Sequence, residues 1–283
     1  SDLVMIRLSS IRSGVGRPPA ALVALAYLST TPIFVLRLLS ERDTRDVLVR
    51  GNYVISDKRK SRRAIIVICA ITLMWHMGLR SESRPSYVKS GGFFTVNGRL
   101  YDANGSDFVP RGVNSPHVWA DDYNRYYAYQ ALDGIAKLKA NCIRIVWETG
   151  RMSVQHLENV IKKVIRLEMV PIVELHDVTG KTSESELLRM ADFYVRGDVK
   201  SILSKYEKHL LVNIANEWGD FHTSETAWRE AYKKAVRKMR NAGIDNLLVI
   251  DAPNWGQGSW AVLNQGQSVV DSDPQKKILF DLH

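Results

Sequence analysis

The stretch LLVNIANE, residues 210–217, is a short apolar run that ends abruptly in Asn216 and Glu217. Its length and its content of large apolar residues predict a buried β-strand rather than a helix. Similar runs with a polar or charged end recur through the second part of the chain, and their starts are 28 to 40 residues apart. They are Phe108–Asn114, Cys142–Glu148, Val170–Asp177, Leu210–Glu217, Leu247–Ala252 and Ile278–His283.

Amphipathic segments separate most of these strands and predict helices at Asn124–Ala140, Val154–Glu168, Glu184–Val195 and Thr223–Asn241. Strands that alternate with helices at this spacing form a parallel sheet. A doubly wound sheet would usually carry a G-x-G-x-x-G turn after its first strand, and residues 111–114, RGVN, do not have it. Polar strand ends favour a (β/α) barrel, because functional residues collect at that end of its strands.

The predicted fold class is therefore α/β, a (β/α)8 TIM barrel of which about the first six βα units are present. A short β-hairpin is expected before the barrel. It is predicted by the dipeptides Asn97-Gly98 and Asn104-Gly105 within the segment 93–109, because both favour tight turns between strands.

The positive charge of the chain is concentrated in its first third. The whole chain has 39 Lys+Arg and 30 Asp+Glu, a formal net charge of +9. Residues 1–84 hold 14 basic and 6 acidic side chains, whereas residues 85–283 hold 25 and 24. Because the second part is nearly neutral, we expect no nucleic acid as its partner.

Residues 58–84 have the anatomy of a secretory signal or signal anchor. The basic cluster KRKSRR at 58–63 precedes an apolar run from Ala64 to Leu79 and a polar exit. We therefore expect a secreted protein that contacts a membrane only transiently, although an uncleaved anchor stays open, as does a buried helix of a small N-terminal domain. Residues 1–57 are interpreted as a leader outside the mature protein, and residues 85–283 as the partial catalytic barrel.

Glu217 is the strongest candidate for a catalytic group. A carboxyl at a strand end beside Trp218 is shielded from water, so its pKa is expected to rise, which suits a general acid. An ordinary strand-end Glu that caps the next helix is the structural alternative. Five tryptophans are expected near the mouth of the barrel, where their faces would stack on sugar rings. They are Trp119, Trp147, Trp218, Trp255 and Trp260.

Several motifs in order along residues 91–283 resemble the bacterial-type endo-β-1,4-mannanases of glycoside hydrolase family 5. The motifs are LYDANG (100–105), RGVN (111–114), HVW (117–119), NCIRIV (141–146), ELHDVTG (174–180), NIANEW (213–218), IDAPNWGQ (250–257) and FDLH (280–283). Residues 1–84 have no part in this resemblance.

The resemblance implies a role for each matching residue. Glu217 is the acid/base, Asn216 contacts the sugar 2-hydroxyl and the nucleophile, and Arg144 orients the nucleophile carboxylate. His283 lines the subsite at the point of cleavage. The remaining matches are expected to contact substrate, and they are His117, Trp119, His176, Asp177, Trp218 and Trp255.

The resemblance also implies a nucleophilic Glu on a seventh strand, which would lie beyond His283. The sequence is therefore interpreted as a C-terminally truncated mannanase that is inactive by itself, because retaining hydrolysis needs two carboxylates. The complete enzyme is expected to be a monomer that cuts mannan, glucomannan or galactomannan. An endo-β-1,4-glucanase on the same scaffold and a non-catalytic carbohydrate-binding fragment remain alternatives.

No metal or organic cofactor is expected. A metal cluster of Glu174, His176, Asp177 and His117 is the less favoured reading, because sugar subsites explain the histidines and no H-x-x-x-H spacing appears. Cys142, on a predicted buried strand, is expected to be a free structural thiol, since its only conceivable partner, Cys69, lies in the signal region.

Overall fold

The computed structural model describes Met5–Arg7, residues 81–119 and residues 122–283. Most of the predicted leader, the predicted signal up to residue 80 and Cys69 lie outside the described residues. No helix among the described residues is both long enough and apolar enough to cross a membrane.

Nine strands and six α-helices make up the described part of the chain. The strands are β1 Met5–Arg7, β2 Phe94–Val96, β3 Arg99–Tyr101, β4 Gly112–Val118, β5 Cys142–Trp147, β6 Val170–Leu175, β7 Leu211–Asn213, β8 Leu248–Asp251 and β9 Ile278–Leu282. The helices are α1 Asp122–Lys137, α2 Val154–Arg166, α3 Glu184–Val195, α4 Gly197–Lys205, α5 Glu225–Asn241 and α6 Ser259–Ser272.

Seven strands form one parallel sheet in the order β1-β9-β8-β7-β6-β5-β4, and β2 and β3 form a separate antiparallel hairpin. Strands β4 to β9 are neighbours in chain order, as successive βα units of a barrel must be. The predicted α/β fold with six parallel barrel strands and an N-terminal hairpin is confirmed.

The first barrel strand lies four residues later than the sequence predicts, at Gly112–Val118 instead of Phe108–Asn114. Pro116 makes the observed segment a poor strand candidate, because proline cannot donate to a ladder. The structure accommodates it because β4 is the last strand in the sheet order, and its pairing with β5 is irregular between Pro116 and Val118. Asn114 is consequently an exposed residue within the strand and not a strand-end group.

The four predicted helices are present, and their ends follow from local chemistry. Ser224 caps α5 by accepting the Ala227 N–H at 3.1 Å, so that helix begins at Glu225 instead of Thr223. Helix α2 ends at Arg166, before Glu168, which has a positive φ of 60°. The sequence analysis missed α4 and α6, because one begins at a glycine and the other contains Gly266 and adjacent valines.

The main core lies between the sheet and the helices, where Leu132, Leu157 and Trp228 are fully buried. Each such side chain contributes roughly 1.5–3 kcal/mol relative to an exposed one. A smaller cluster joins the hairpin residues Phe93 and Leu100 to inward-facing strand residues at the opposite end of the sheet from the strand C-termini. Those strand residues are Cys142, Ile172, Leu211, Val249 and Leu279. The hairpin therefore closes this end, and its turn uses Asn97 and Gly98 with positive φ as predicted.

Candidate active site

Arg144 is the centre of a buried polar network on the inner face of the strands. Its guanidinium donates to Asn213 Oδ1 at 2.7 Å, to Asp251 Oδ2 at 3.1 Å and to Glu174 Oε2 at 3.3 Å. The sheet register causes this convergence, because Glu174 lies directly opposite Asn213, and Asp251 lies directly opposite Asp281. The described strands thus place several carboxylates around one cation.

Asn216 connects this network to the loops. Its side-chain oxygen accepts from Arg144 at 2.9 Å, and its amide donates to Thr179 Oγ1 at 2.7 Å. Both polar ends of a buried amide are therefore satisfied, which fixes its orientation. The predicted site residues Arg144 and Asn216 are brought together by the fold.

Glu217 has an unusual backbone conformation, with φ at +48°. Two hydrogen bonds hold it there: its N–H donates to Asp251 Oδ2 at 2.9 Å, and its carbonyl accepts the Gly180 N–H at 2.9 Å. Left-handed φ values in residues other than Gly cost free energy and are found preferentially at functional sites. In this conformation the Glu217 side chain keeps 22% exposure.

His283 and Glu217 form a close pair, with Nδ1 2.5 Å from Oε1. Burial by itself would raise the pKa of Glu217, but the hydrogen bond and charge of His283, and the charge of Arg144, lower it overall. The sequence-based expectation of a raised pKa is therefore wrong for this structure, since it considered only the desolvating tryptophan. Burial opposes protonation of His283, and hydrogen bonds with Asp281 and Glu217 overcome that effect and raise its pKa to about 10.

Asp251 and Asp281 lie behind this pair, 3.6 and 3.5 Å from His283 Nε2. Burial raises the pKa of Asp251 to about 6, against the opposing effect of Arg144 and His283. Together with His283, these carboxylates bring three ligand atoms within 4.8 Å of one another. Because Arg144 is 3.1 Å from Asp251 and 4.0 Å from Asp281, the set fits an ion-pair network better than a cation site.

The alternative metal cluster of the sequence analysis is not assembled. Glu174 Oε1 does contact His176 Nδ1, at 2.8 Å. However, Asp177 accepts the Thr149 N–H at 3.0 Å, and so ties the loop after β6 to the loop after β5. Asp177 therefore joins these two loops, and its contact with substrate stays a prediction.

His117 and Trp218 also require correction, because both side chains are buried and not in a cleft. His117 points toward α2: burial first, and then the positive charges of His156 and Lys163, lower its pKa to about 3. Trp218 is 1% exposed and donates its indole N–H to the Ser183 carbonyl. Trp147 is buried as well, so the expected group of five tryptophans at the barrel mouth does not exist.

Two of the predicted substrate-contact residues, Trp119 and Trp255, are exposed at this end, and His176 is partly exposed. Trp119 is 43% exposed and its ring lies 5.0 Å from that of His176. Trp255 is 37% exposed and packs against Gly180, whose N–H bonds to Glu217. Trp255 is thus one contact away from the Glu217 backbone, as expected of an aromatic side chain beside a sugar-binding site.

Sequence analysis missed Asn213, Thr179 and Asp281 as members of the site. Asn213 and Asp281 each interrupt an apolar strand, and a polar residue in a buried strand is a detectable signal. Thr179 gives no such signal, because only the folded chain brings it to Asn216.

Comparisons with known proteins point to one family of glycoside hydrolases. The family model described as cellulase, glycosyl hydrolase family 5, matches residues 101–283. The chain is 39% identical over 197 residues to the mannan endo-1,4-β-mannosidase of Salipaludibacillus agaradhaerens, covering 68% of this chain and 61% of that protein. It is 30% identical over 201 residues to the mannan endo-1,4-β-mannosidase of Cellvibrio japonicus, covering 69% and 45%.

Among solved structures, the mannohexaose complex of the Thermomonospora fusca β-mannanase superposes with a TM-score of 0.62 at 33% identity. That alignment covers 69% of this chain and 66% of the other. The chain therefore spans between about half and two thirds of the length of these relatives. Since the family model matches well over half of its residues, the protein belongs to glycoside hydrolase family 5.

Proposed function

We propose that this chain supplies the acid/base side of the catalytic barrel of a retaining endo-β-1,4-mannanase. The observation that carries the proposal is the placement of Glu217, with Asn216 and Arg144 beside it, at the C-terminal end of the fourth barrel strand. The similarity to the mannan endo-1,4-β-mannosidases supports the choice of substrate over the endoglucanase alternative.

In the first step of a retaining reaction, Glu217 protonates the leaving glycosidic oxygen, so it must hold a proton when substrate is bound. His283, protonated at neutral pH and 2.5 Å away, is positioned to share its proton with Glu217. Burial is already the largest single influence on the pKa of Glu217, and a sugar that covers its exposed part would strengthen that influence. In the second step, the ionised carboxylate activates the water that hydrolyses the glycosyl-enzyme.

The nucleophile of the proposed enzyme would be a Glu on a strand after β9. Among the described residues, Glu174, Asp251 and Asp281 are buried, and Glu148, which follows β5 and is partly exposed, pairs with Arg151. Arg144 Nε is buried too, and it has no hydrogen-bond partner in the described part of the chain. A free donor on a buried guanidinium supports the proposal that Arg144 also holds the nucleophile carboxylate.

Hydrolysis should be measured on the full-length gene product, with galactomannan, unsubstituted mannan and carboxymethylcellulose as substrates. We expect a fall in viscosity and new reducing ends with both mannans, and a loss of about 10²–10⁴-fold in kcat for Glu217→Gln. Faster hydrolysis of carboxymethylcellulose would favour the endoglucanase, and an unchanged rate in E217Q would refute the role of Glu217.

The non-catalytic alternative has its own measurement. Calorimetry with mannohexaose on the 283-residue chain is expected to show saturable binding. Binding without turnover by the full-length product would establish a carbohydrate-binding protein and overturn the enzyme proposal.

We also propose that the protein is secreted as a monomer. The support is the basic-then-apolar composition of residues 58–79 and the polymeric nature of the substrate. Fractionation of a producing culture, followed by size-exclusion chromatography, tests both parts.

A further inference from the structure

Asp251, the last residue of β8, is a fully buried carboxylate in contact with the candidate active site. Its Oδ2 accepts the Glu217 N–H at 2.9 Å and an Arg144 N–H at 3.1 Å. Its Oδ1 accepts from the Asn213 amide at 2.7 Å. Asp251 is part of the IDAPNWGQ motif, but none of the implied roles falls on it, and its burial keeps it from touching a substrate. Both of its oxygens therefore act on other residues of the site.

The bond from the Glu217 N–H supports a backbone conformation that the chain would not adopt unaided. Glu217 has φ +48°, and a left-handed residue other than glycine persists only where its surroundings hold it. A backbone N–H that donates to a carboxylate makes a charge-assisted bond, which is stronger than the neutral bond between the Glu217 carbonyl and the Gly180 N–H. Asp251 is itself held in place, because the Trp228 indole donates to its carbonyl at 3.0 Å. Asp251 therefore sets the direction from which the Glu217 side chain starts.

The same carboxylate supports the positive charge of His283. Asp251 Oδ2 is 3.6 Å from His283 Nε2, while Glu217 Oε1 contacts the other ring nitrogen at 2.5 Å. Burial lowers the pKa of His283, and the hydrogen bonds with Asp281 and Glu217 and then the charge of Asp251 raise it, against a smaller opposing effect of Arg144. Asp251 therefore lies on the far side of the ring that shares a proton with Glu217.

We propose that Asp251 is the positioning residue of the acid/base: it fixes the backbone of Glu217 and keeps on His283 the proton that Glu217 shares. The inference rests on the proposed retaining mechanism. Because one carboxylate does both, the orientation of Glu217 and the protonation of His283 should change together when Asp251 is altered.

Two variants of the 283-residue chain separate the two parts of this role. Asp251→Asn removes the charge and leaves one oxygen that can accept the Glu217 N–H, whereas Asp251→Ala removes the charge and both acceptors. NMR titration should show a lower pKa for His283 in both variants. Amide hydrogen exchange at Glu217 should be about 10- to 100-fold faster in D251A and less affected in D251N.

Asp273→Asn is the matched control, because Asp273 has the same chemistry at the opposite end of the sheet. It is buried, pairs with Arg240 at 2.8 Å and accepts two backbone N–H groups at 3.0 Å. D273N should lower the melting temperature as D251N does. It should leave the pKa of His283 and the amide exchange of Glu217 as they are in wild type.

Kinetics of the full-length gene product on mannan connect this role to the reaction. D251N should lower kcat by about 10- to 100-fold with little change in KM, because Asp251 misplaces the acid/base when altered but does not touch the substrate. The alkaline limb of its kcat profile should move to lower pH, because His283 loses its proton earlier. D273N should keep the wild-type profile.

An unchanged pKa of His283 in D251N and D251A, together with unchanged exchange at Glu217, would overturn the positioning role while an active wild type left the proposed function intact. A wild-type full-length product without activity on mannan would overturn the proposed function, and the positioning role with it.

Discussion

The two ends of the parallel sheet each bury a cation, and they satisfy it in different ways. At the end closed by the hairpin, Lys277 is fully buried and donates to Ser90 Oγ and to the Asp245 carbonyl, with Glu207 3.5 Å away. At the strand C-termini, Arg144 is surrounded by Glu174, Asp251 and Asp281.

The difference lies in the charge balance. At the closed end, the buried Lys277 has one carboxylate near it, that of Glu207, which is 20% exposed. Its other partners are neutral oxygens. At the other end, Arg144 and His283 meet four carboxylates, because Glu217 adds to the buried three. The closed end is organised to hold the chain together, whereas an excess of negative charge at a partly open site favours groups that exchange protons.

The largest expected effect is the loss of stability when the buried cation at the strand C-termini, Arg144, is removed. Arg144→Met should lower the free energy of unfolding by about 3–5 kcal/mol, because it leaves buried carboxylates without their cation. Urea unfolding of the 283-residue chain, followed by tryptophan fluorescence, measures the loss. Arg144→Lys should lower the free energy of unfolding by less, since it keeps the positive charge. A loss below about 1 kcal/mol in R144M would show that the buried carboxylates around Arg144 are not ionised at the same time.

The pH dependence of stability should have opposite signs at the two ends. The folded pKa of His283 is raised from 6.5 to about 10, so its contribution is complete below pH 6.5 and is lost as the pH rises through 10. Burial lowers the folded pKa of Lys277 from 10.5 to about 8, so between those values the unfolded chain binds more protons and stability increases with pH. Each slope is at most about 1.4 kcal/mol per pH unit.

Unfolding free energies of wild type, His283→Gln and Lys277→Met across pH 6 to 10 check these signs. Stability of H283Q should fall less steeply than that of wild type above pH 6.5. Between pH 8 and 10 the two contributions oppose each other in wild type, so stability of K277M should fall more steeply there than that of wild type. Identical profiles for the two variants would contradict the assignment of opposite signs.

Removal of the cation at the closed end should cost less than removal of Arg144. Lys277→Met is expected to lose about 1–3 kcal/mol, because the polar groups it leaves are mostly neutral and Glu207 can regain water. The double variant with Glu207→Gln measures the coupling between the pair. If K277M were as destabilised as R144M, the contrast between the two ends would not hold.

The last contrast concerns the contact between one glycine and His283. Gly256 has φ +78°, and an added Cβ would lie 2.6 Å from His283 Cγ; Gly243 has φ +80° and open space around it. Gly243→Ala should cost about 1–2 kcal/mol from backbone strain alone. Gly256→Ala should lower the free energy of unfolding by more than Gly243→Ala does. It should also shift the pKa of His283, measured by NMR, toward the ordinary range of histidine. Equal stability and equal titration in the two variants would exclude the steric effect.

Much of the fold was predictable because it follows from local pattern. The alternation of apolar runs and amphipathic segments located five of the six barrel strands and four helices, since side-chain periodicity reports which face is buried. Strand β4 was displaced because the cost of Pro116 depends on its position at the end of the sheet, which is not a local property. Helices α4 and α6 are stabilised by packing against their neighbours more than by their own sequences.

The site was predicted less evenly. Arg144, Asn216, Glu217 and His283 do lie together, as the motifs indicated. His117 and Trp218 do not face the cleft, because a motif records which residues occur near a strand end and not the face from which each side chain projects. Phe221 lies outside every motif, and Asp281 lies inside the FDLH motif, but the contacts of both became visible only in the folded chain.

The sequence by itself determined the order of strands and helices, the parallel sheet, the family and the candidate acid/base, because these depend on periodicity and short motifs. The tertiary structure alone decided the protonation of the Glu217–His283 pair and the pairing of Phe221 with Trp255. Electrostatic and stacking energies are set by the distances between the interacting groups. Both of these features join residues that are far apart in the chain, so only folding sets their distances. The reversal in the expected pKa of Glu217 shows this, because His283, 66 residues away, and Arg144 together outweigh the effect of burial that the neighbouring sequence suggested.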